Sequence, residues 1–411
     1  MIFFNTLRFH IDLGISIAIY FGLLRLFPKL NRLYPLLALS LYFTHHFFKV
    51  PLLLLAITLP FMIAYYYLTL LQRRSLNGAL IAPALLGIVG LLWLYVRFPE
   101  TVKFLGLAET QSIPQVRELL PYFIGAPFMV CRLVSFLFDI RNKEIKHPTL
   151  ISFLVYIFYF PTLLSGPVTK FREFTKEHDY SSTKQYFHQY LIPGTKRIVI
   201  GILKREVLTQ LLSTVALPFI FIDRSNRWQL ILGAYLYYIY LYLDFSGYSD
   251  LAIGLSKILA IGIPENFNWP IFSRNPVMFW QRWHTSFLNW LNEYLLSPLY
   301  TFLLRAFPNA PLFLLSCIAI FTTFFFTGFW HGESLRYVFY GILNATVMVL
   351  YRSYDTGMRL YASDLRQKLR ESMVAKIISC ILCFHYVTFG LMVFSLDFKT
   401  IKLVLYRIFH G

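Results

Sequence analysis

The chain has 411 residues, of which 57% are hydrophobic and only 14% charged. Soluble domains carry about 25% charged residues, so this composition excludes a soluble globular enzyme, a disordered chain and a fibrous one. The net charge is +18, yet the cations sit in short clusters between apolar runs rather than on a basic face, which excludes nucleic acid as a partner and fits membrane lipids instead.

In chain order, apolar runs long enough to cross the hydrocarbon begin near Leu13, Leu33, Leu52, Leu80, Tyr122, Leu150, Ile198, Leu230, Leu312, Tyr337 and Lys376. That predicts an all-α, polytopic integral membrane protein with about eleven spans, plus interfacial or re-entrant helices. The N-terminus lacks the basic start and the small-residue cleavage site of a secretory signal, so its first apolar run is expected to stay as a helix. Basic loops at Arg25 to Arg32, Arg73 to Arg74 and Arg141 to Lys146 are assigned to the cytoplasm by the positive-inside rule, which puts the N-terminus on the extracytoplasmic side. With no linker or repeat in view, 1–411 reads as a single membrane-embedded domain. Asp12, Arg132, Lys204, Arg205, Glu206 and Asp244 lie in or beside apolar runs, where charges are expected to face the protein interior or the interface.

Four polar segments interrupt the pattern. In the first, Pro161 and Ser165-Gly166-Pro167 stop an apolar helix, and the basic, aromatic stretch around Lys170 and Arg172 follows. The second, Tyr242 to Gly254, carries Asp244, Asp250, two serines and two tyrosines at expected membrane depth. Its carboxylates either lock helices together or serve a site, and Gly247 and Gly254 permit close backbone packing. In the third, Asn275-Pro276 is a helix-start signal. Trp280, Trp283, His284, Phe287, Leu291 and Tyr294 then recur at helical spacing, predicting one amphipathic helix with Gln281, Arg282, Ser286, Asn289 and Glu293 on its other side. The fourth, Gly328-Phe329-Trp330-His331-Gly332, ends a long apolar run on a histidine between glycines that bare the backbone and offer room for a ligand. Histidine alone titrates near neutrality when unperturbed, so His331 is the natural proton acceptor. Cys380 and Cys383 have CxxC spacing, but their surroundings read as lipid-buried helix rather than a redox or zinc site, and no metal site is assigned.

Trp280-Gln281-Arg282-Trp283-His284, followed some fifty residues later by Gly328-Phe329-Trp330-His331-Gly332, resembles the signature of the membrane-bound O-acyltransferase family. Tyr242 to Gly254, Pro264 to Asn268 and Ser165 to Pro167 resemble its bacterial branch, which holds alginate O-acetylases and the proteins that D-alanylate teichoic acids. The motif-bearing core runs from about 159 to 350. After Tyr294 the chain reads Ser297-Pro298-Leu299-Tyr300-Thr301, without the paired glycines usual in the alginate type.

The resemblance implies tilted helices around a central funnel or tunnel in a bacterial plasma (inner) membrane. It implies transfer of an acetyl or D-alanyl group from an intracellular thioester, carried on a carrier-protein phosphopantetheine or on coenzyme A. The acceptor is a hydroxyl of an envelope polysaccharide or teichoic-acid-like polymer outside, reached directly or through a partner transferase. The thioester is a substrate, and no bound cofactor is expected. His331 maps to the family's near-invariant histidine and is assigned as general base. His284 maps to the second and is assigned as donor or acceptor-positioning group. Trp283, Trp330 and Asn268 are expected to line the site, and Asp244 and Asp250 to orient a histidine or a neighbouring helix. No serine or cysteine stands in a nucleophile-elbow context, which favours direct transfer over an acyl-enzyme. A transporter or flippase for a lipid-linked envelope precursor shares the hydropathy and buried charges, but it predicts repeats and leaves the histidine motifs without a role. A structural scaffold would tolerate changes in all four segments.

Overall fold

In the computed structural model, residues 7–48, 125–145, 148–176, 182–216, 225–332 and 334–410 are described. They are helical throughout, the exception to helix and loop being an isolated bridge between Phe267 and Trp283. The chain divides into two compact units, 1–198 with 252–264 and 199–251 with 265–411. The spans expected near Leu52 and Leu80 lie outside the described residues.

The first unit contains α1 (Leu7–Leu26), α2 (Leu33–Phe48), α3 (Ala126–Arg141) and α4 (Leu150–Phe158). Thr149 caps α4 through a reciprocal bond with Ser152, and Pro161 prevents the helix from continuing. The carbonyls left open at that end are met by the fully buried Arg132, whose Nη1 donates to the oxygens of Tyr156 (3.0 Å) and Ile157 (2.8 Å), with Nη2 on Thr162. A buried cation is thus matched to the negative end of a helix, as expected of a charge in an apolar run.

Two helices contribute to both units. They are α5 (Ile192–Ile202), which runs through a π-helical turn (Leu203–Leu208) into α6 (Thr209–Ala216), and α7 (Arg227–Ile258). Within the first unit a Cβ on Gly254 would stand 2.7 Å from the carbonyl of Gly194, and within the second a Cβ on Gly247 would stand 3.0 Å from that of Gly201. Close backbone packing at both glycines of the second polar segment is therefore realised, as in small-residue crossings of membrane helices.

The second unit continues with α8 (Pro276–Trp280), α9 (Thr285–Leu291), a π turn (Asn292–Leu296), α10 (Ser297–Ala306), α11 (Leu312–His331), α12 (Leu335–Tyr361), α13 (Ser363–Glu371), α14 (Met373–Ser395) and α15 (Phe398–His410). Among the described residues, α11 (20 residues) and α14 (23 residues) are long and apolar enough to cross a membrane by themselves. Helices α7 and α12 are longer, but Asp244 and Asp250 interrupt one and Arg336 and Arg352 the other. Helices α11 and α12 form a tight hairpin in which a Cβ on Gly328 would fall 2.2 Å from the Tyr337 carbonyl and 2.6 Å from the Cα of Gly341. Gly328 is therefore occupied by the neighbouring backbone and offers no ligand space, contrary to the expectation from sequence.

Candidate active site

All seven residues singled out by sequence lie in the second unit. The third segment starts as expected, with Asn275 Oδ1 accepting from the Met278 N–H at 2.8 Å and Pro276 in the first turn. It does not form one helix. The Arg282 carbonyl, which a continuing helix would spend on residue 286, accepts from the Asn268 N–H (2.9 Å), and the Thr285 N–H donates to the Asn266 carbonyl (3.0 Å). The chain is drawn out beside Phe267, and His284 caps α9 in the left-handed region at φ 49°. A non-glycine residue held there costs about 1–3 kcal/mol and persists where its surroundings over-determine it.

Those surroundings are polar and closed. Asn266 is fully buried, and its Oδ1 accepts from Ser286 Oγ (2.7 Å) and lies 3.0 Å from His284 Nδ1. Its Nδ2 donates to Ser249 Oγ (3.0 Å), and that hydroxyl donates to the Phe245 carbonyl (3.0 Å). Because Asn266 presents its oxygen, the neutral imidazole carries its hydrogen on Nδ1 and keeps its lone pair on Nε2. Sequence reasoning missed Asn266 and chose Asn268, whose side chain is exposed. The pairing of Phe267 with Trp283 puts the Asn268 backbone, not its amide, to use. Ser286, assigned from periodicity to the polar outer side, is buried.

His331 ends α11 and is half-buried. Rings surround it. Trp330 and Phe394 meet it edge-on, each with centroids 4.8 Å away, and Tyr337 and Tyr340 stand at 6.1 and 6.3 Å. The two histidines are linked by ring contacts, from His284 to Phe287 (5.1 Å), Phe287 to Trp330 (4.5 Å) and Trp330 to His331. Trp330 is thus buried between the motifs. Trp283 is buried on the other side of His284's neighbour Phe245, against Phe267 at 5.2 Å and Phe279 at 5.6 Å. Asp250 pairs with Lys204 (2.7 Å) and Asp244 with Arg205 (3.3 Å). Both carboxylates hold the π turn 203–208 against α7, the helix-locking alternative of the sequence reading.

Cys383 is buried in α14, and Cys380 donates to the Phe272 carbonyl at 3.7 Å.

The family model for membrane-bound O-acyltransferases matches residues 84–394. The chain belongs to this family. It is an integral membrane O-acyltransferase, and the matched stretch contains both His284 and His331. Among relatives of this acyltransferase, a teichoic acid D-alanyltransferase of Bacillus subtilis is 28% identical over 404 residues, covering 95% of this chain and 97% of that one. A second teichoic acid D-alanyltransferase, from Streptococcus thermophilus, is 28% identical over 66% of this chain and 68% of its own. A probable alginate O-acetylase of Pseudomonas fluorescens is 32% identical over 54% of this chain and 43% of its own.

Proposed function

We propose that the chain moves an acyl group from a thioester presented on the cytoplasmic side of a bacterial plasma membrane to a hydroxyl of an envelope polymer outside. His331 removes the proton of the acceptor hydroxyl as the oxygen attacks the thioester carbonyl. The tetrahedral intermediate then collapses, the C–S bond breaks, and the leaving thiolate takes up a proton, giving an ester and a free thiol. General base catalysis contributes typically about 10²–10⁴-fold. His284, with its lone pair on Nε2, positions the acceptor or the proton it loses, and Trp330 and Trp283 wall the site. Transfer is direct, without an acyl-enzyme. The thioester is carried by a phosphopantetheine carrier protein or coenzyme A as substrate, and a basic residue on the cytoplasmic side, Arg141 or Lys143, attracts that acidic partner.

The observation that carries this reading is the linkage of the two motif histidines through Phe287 and Trp330. About eleven spans around a central tunnel, with the N-terminus outside, let donor and acceptor approach from opposite faces. The whole of 1–411 serves as one acyltransferase domain with its core at 159–350. The end-to-end match to a teichoic acid D-alanyltransferase supports D-alanyl as the group moved. The higher identity, 32% over 224 residues, to a probable alginate O-acetylase supports acetyl as the second reading.

The test is lipid-reconstituted protein given acetyl and D-alanyl thioesters with polymeric acceptors. The product names the acyl group. Ester formation that disappears in His331→Ala supports the base assignment, and a fully active His331→Ala protein removes it.

A further inference from the structure

Arg336 opens α12 five residues after His331 and is half-buried. Its Nη1 donates to the Ser395 carbonyl (3.0 Å) and its Nη2 to the Tyr337 hydroxyl (3.0 Å), and its guanidinium carbon lies 4.7 Å over the Tyr337 ring. The Ser395 hydroxyl in turn accepts from Tyr237 at 2.6 Å. All these partners are neutral. No carboxylate pairs with Arg336 among the described residues, and its enclosed Nε has no hydrogen-bond partner. By contrast, Arg205 and Arg366 each meet an aspartate. A guanidinium withdrawn from water without a counter-charge is costly, and a planar fork with unspent donors is suited to a carboxylate or a phosphate.

The cation stands one ring away from the proposed base. Tyr337, over which it lies, contacts His331 (6.1 Å) and Phe394 (5.2 Å), and Phe394 touches His331 (4.8 Å). When the acceptor hydroxyl is at His331, an oxyanion a few bonds along the same polymer comes within reach of Arg336. A polyol-phosphate chain places a phosphodiester that close to its hydroxyls, and a uronate polymer places a carboxylate on the same ring. The donor's phosphate is separated from its thioester by a whole pantetheine arm and cannot be at Arg336 while the carbonyl is at His331.

We propose that Arg336 is the specificity-determining residue of the acceptor site, binding the oxyanion that neighbours the reacting hydroxyl. This rests on the reading of His331 as the base. The test compares wild type, Arg336→Gln and Arg336→Lys in reconstituted membranes with three acceptors: a glycerol-phosphate oligomer, a uronate oligosaccharide and an uncharged polyol. Binding of each acceptor is measured calorimetrically without donor, alongside turnover. Arg336→Gln is expected to weaken binding and raise KM for the preferred anionic acceptor roughly ten- to hundred-fold, the scale of one charge-assisted hydrogen bond. KM for the donor and transfer to the uncharged polyol stay as in wild type, and Arg336→Lys falls between. The anionic acceptor that responds identifies the oxyanion as phosphodiester or carboxylate. Equal losses for charged and uncharged acceptors, or unchanged anion binding in Arg336→Gln, overturn the proposal and leave Arg336 as a structural tie between α12 and α14. Absence of ester formation by wild type on all three acceptors sinks the proposed donor and acceptor, while the binding arm still decides the role of Arg336.

Discussion

His284 and His331 stand at the ends of one chain of rings but in unlike settings. His284 is closed in, 5% exposed, held at Nδ1 by an amide that is itself tied to two serines, with its backbone in a costly conformation. His331 is half-buried, collared by four rings, and sits at the end of a long apolar helix, one ring away from a guanidinium that meets no carboxylate among the described residues. The contrast is one of constraint. The hydrogen-bond network around Asn266 fixes the direction of one imidazole, whereas the other stands half-buried among rings.

The sharpest way to break this comparison is to remove each ring. His331→Ala should lower ester formation by about 10²–10⁴-fold with little change in thermal unfolding in detergent, and His284→Ala should lower it less. Reversal of that order in turnover assays would exchange the two roles. Next, Gly328→Ala should destabilise the second unit by about 1–3 kcal/mol or more, since the added methyl meets the Tyr337 carbonyl at 2.2 Å and neither backbone can yield cheaply. The loss is read as a drop in melting temperature with activity falling in parallel. Asn266→Ala should cost about 1–3 kcal/mol by leaving Ser286, Ser249 and His284 without their shared partner. It should also reduce kcat, and an unchanged kcat would show that the orientation of His284 is irrelevant to turnover. The smallest effect lies outside the membrane segments. Asp397 accepts from the Thr400 backbone N–H (2.9 Å) and then its hydroxyl (3.0 Å), which holds its carboxyl below the usual range. That capping is present above the ordinary carboxylate pKa and is lost as pH falls through the lowered one. Hydrogen exchange in the first turn of α15 should accelerate over that acid window in wild type and stay insensitive to it in Asp397→Ala.

Much of this was legible in the residues, for identifiable reasons. The starts at Leu33 and Leu150 and the Asn275-Pro276 cap are written in local chemistry, and both histidines stand in motifs whose residue types are rare in apolar runs. The break at His284 was not legible. Residues 280–294 keep helical spacing because α8 and α9 bury the same side, and the competing bonds come from Asn266 and Asn268, far back in the chain. Asn266 was missed for the same reason: nothing distinguishes it from Asn268 until Phe267 is seen opposite Trp283. The partners of Asp244 and Asp250 lie some forty residues upstream in a π turn, a distortion that hydropathy does not reveal. Gly328 read as open space because a glycine emptied for a ligand and one filled by a neighbouring backbone look alike in sequence.

The crossing at Gly328 has a mechanical consequence. With two main chains in direct contact there, α11 and α12 cannot slide or rotate past each other, so His331 on one and Arg336 on the other are mounted on a common rigid frame. On such a mount, the polymer preference proposed for Arg336 would change with the side chain at 336 alone, while the ring proposed as the base keeps its position.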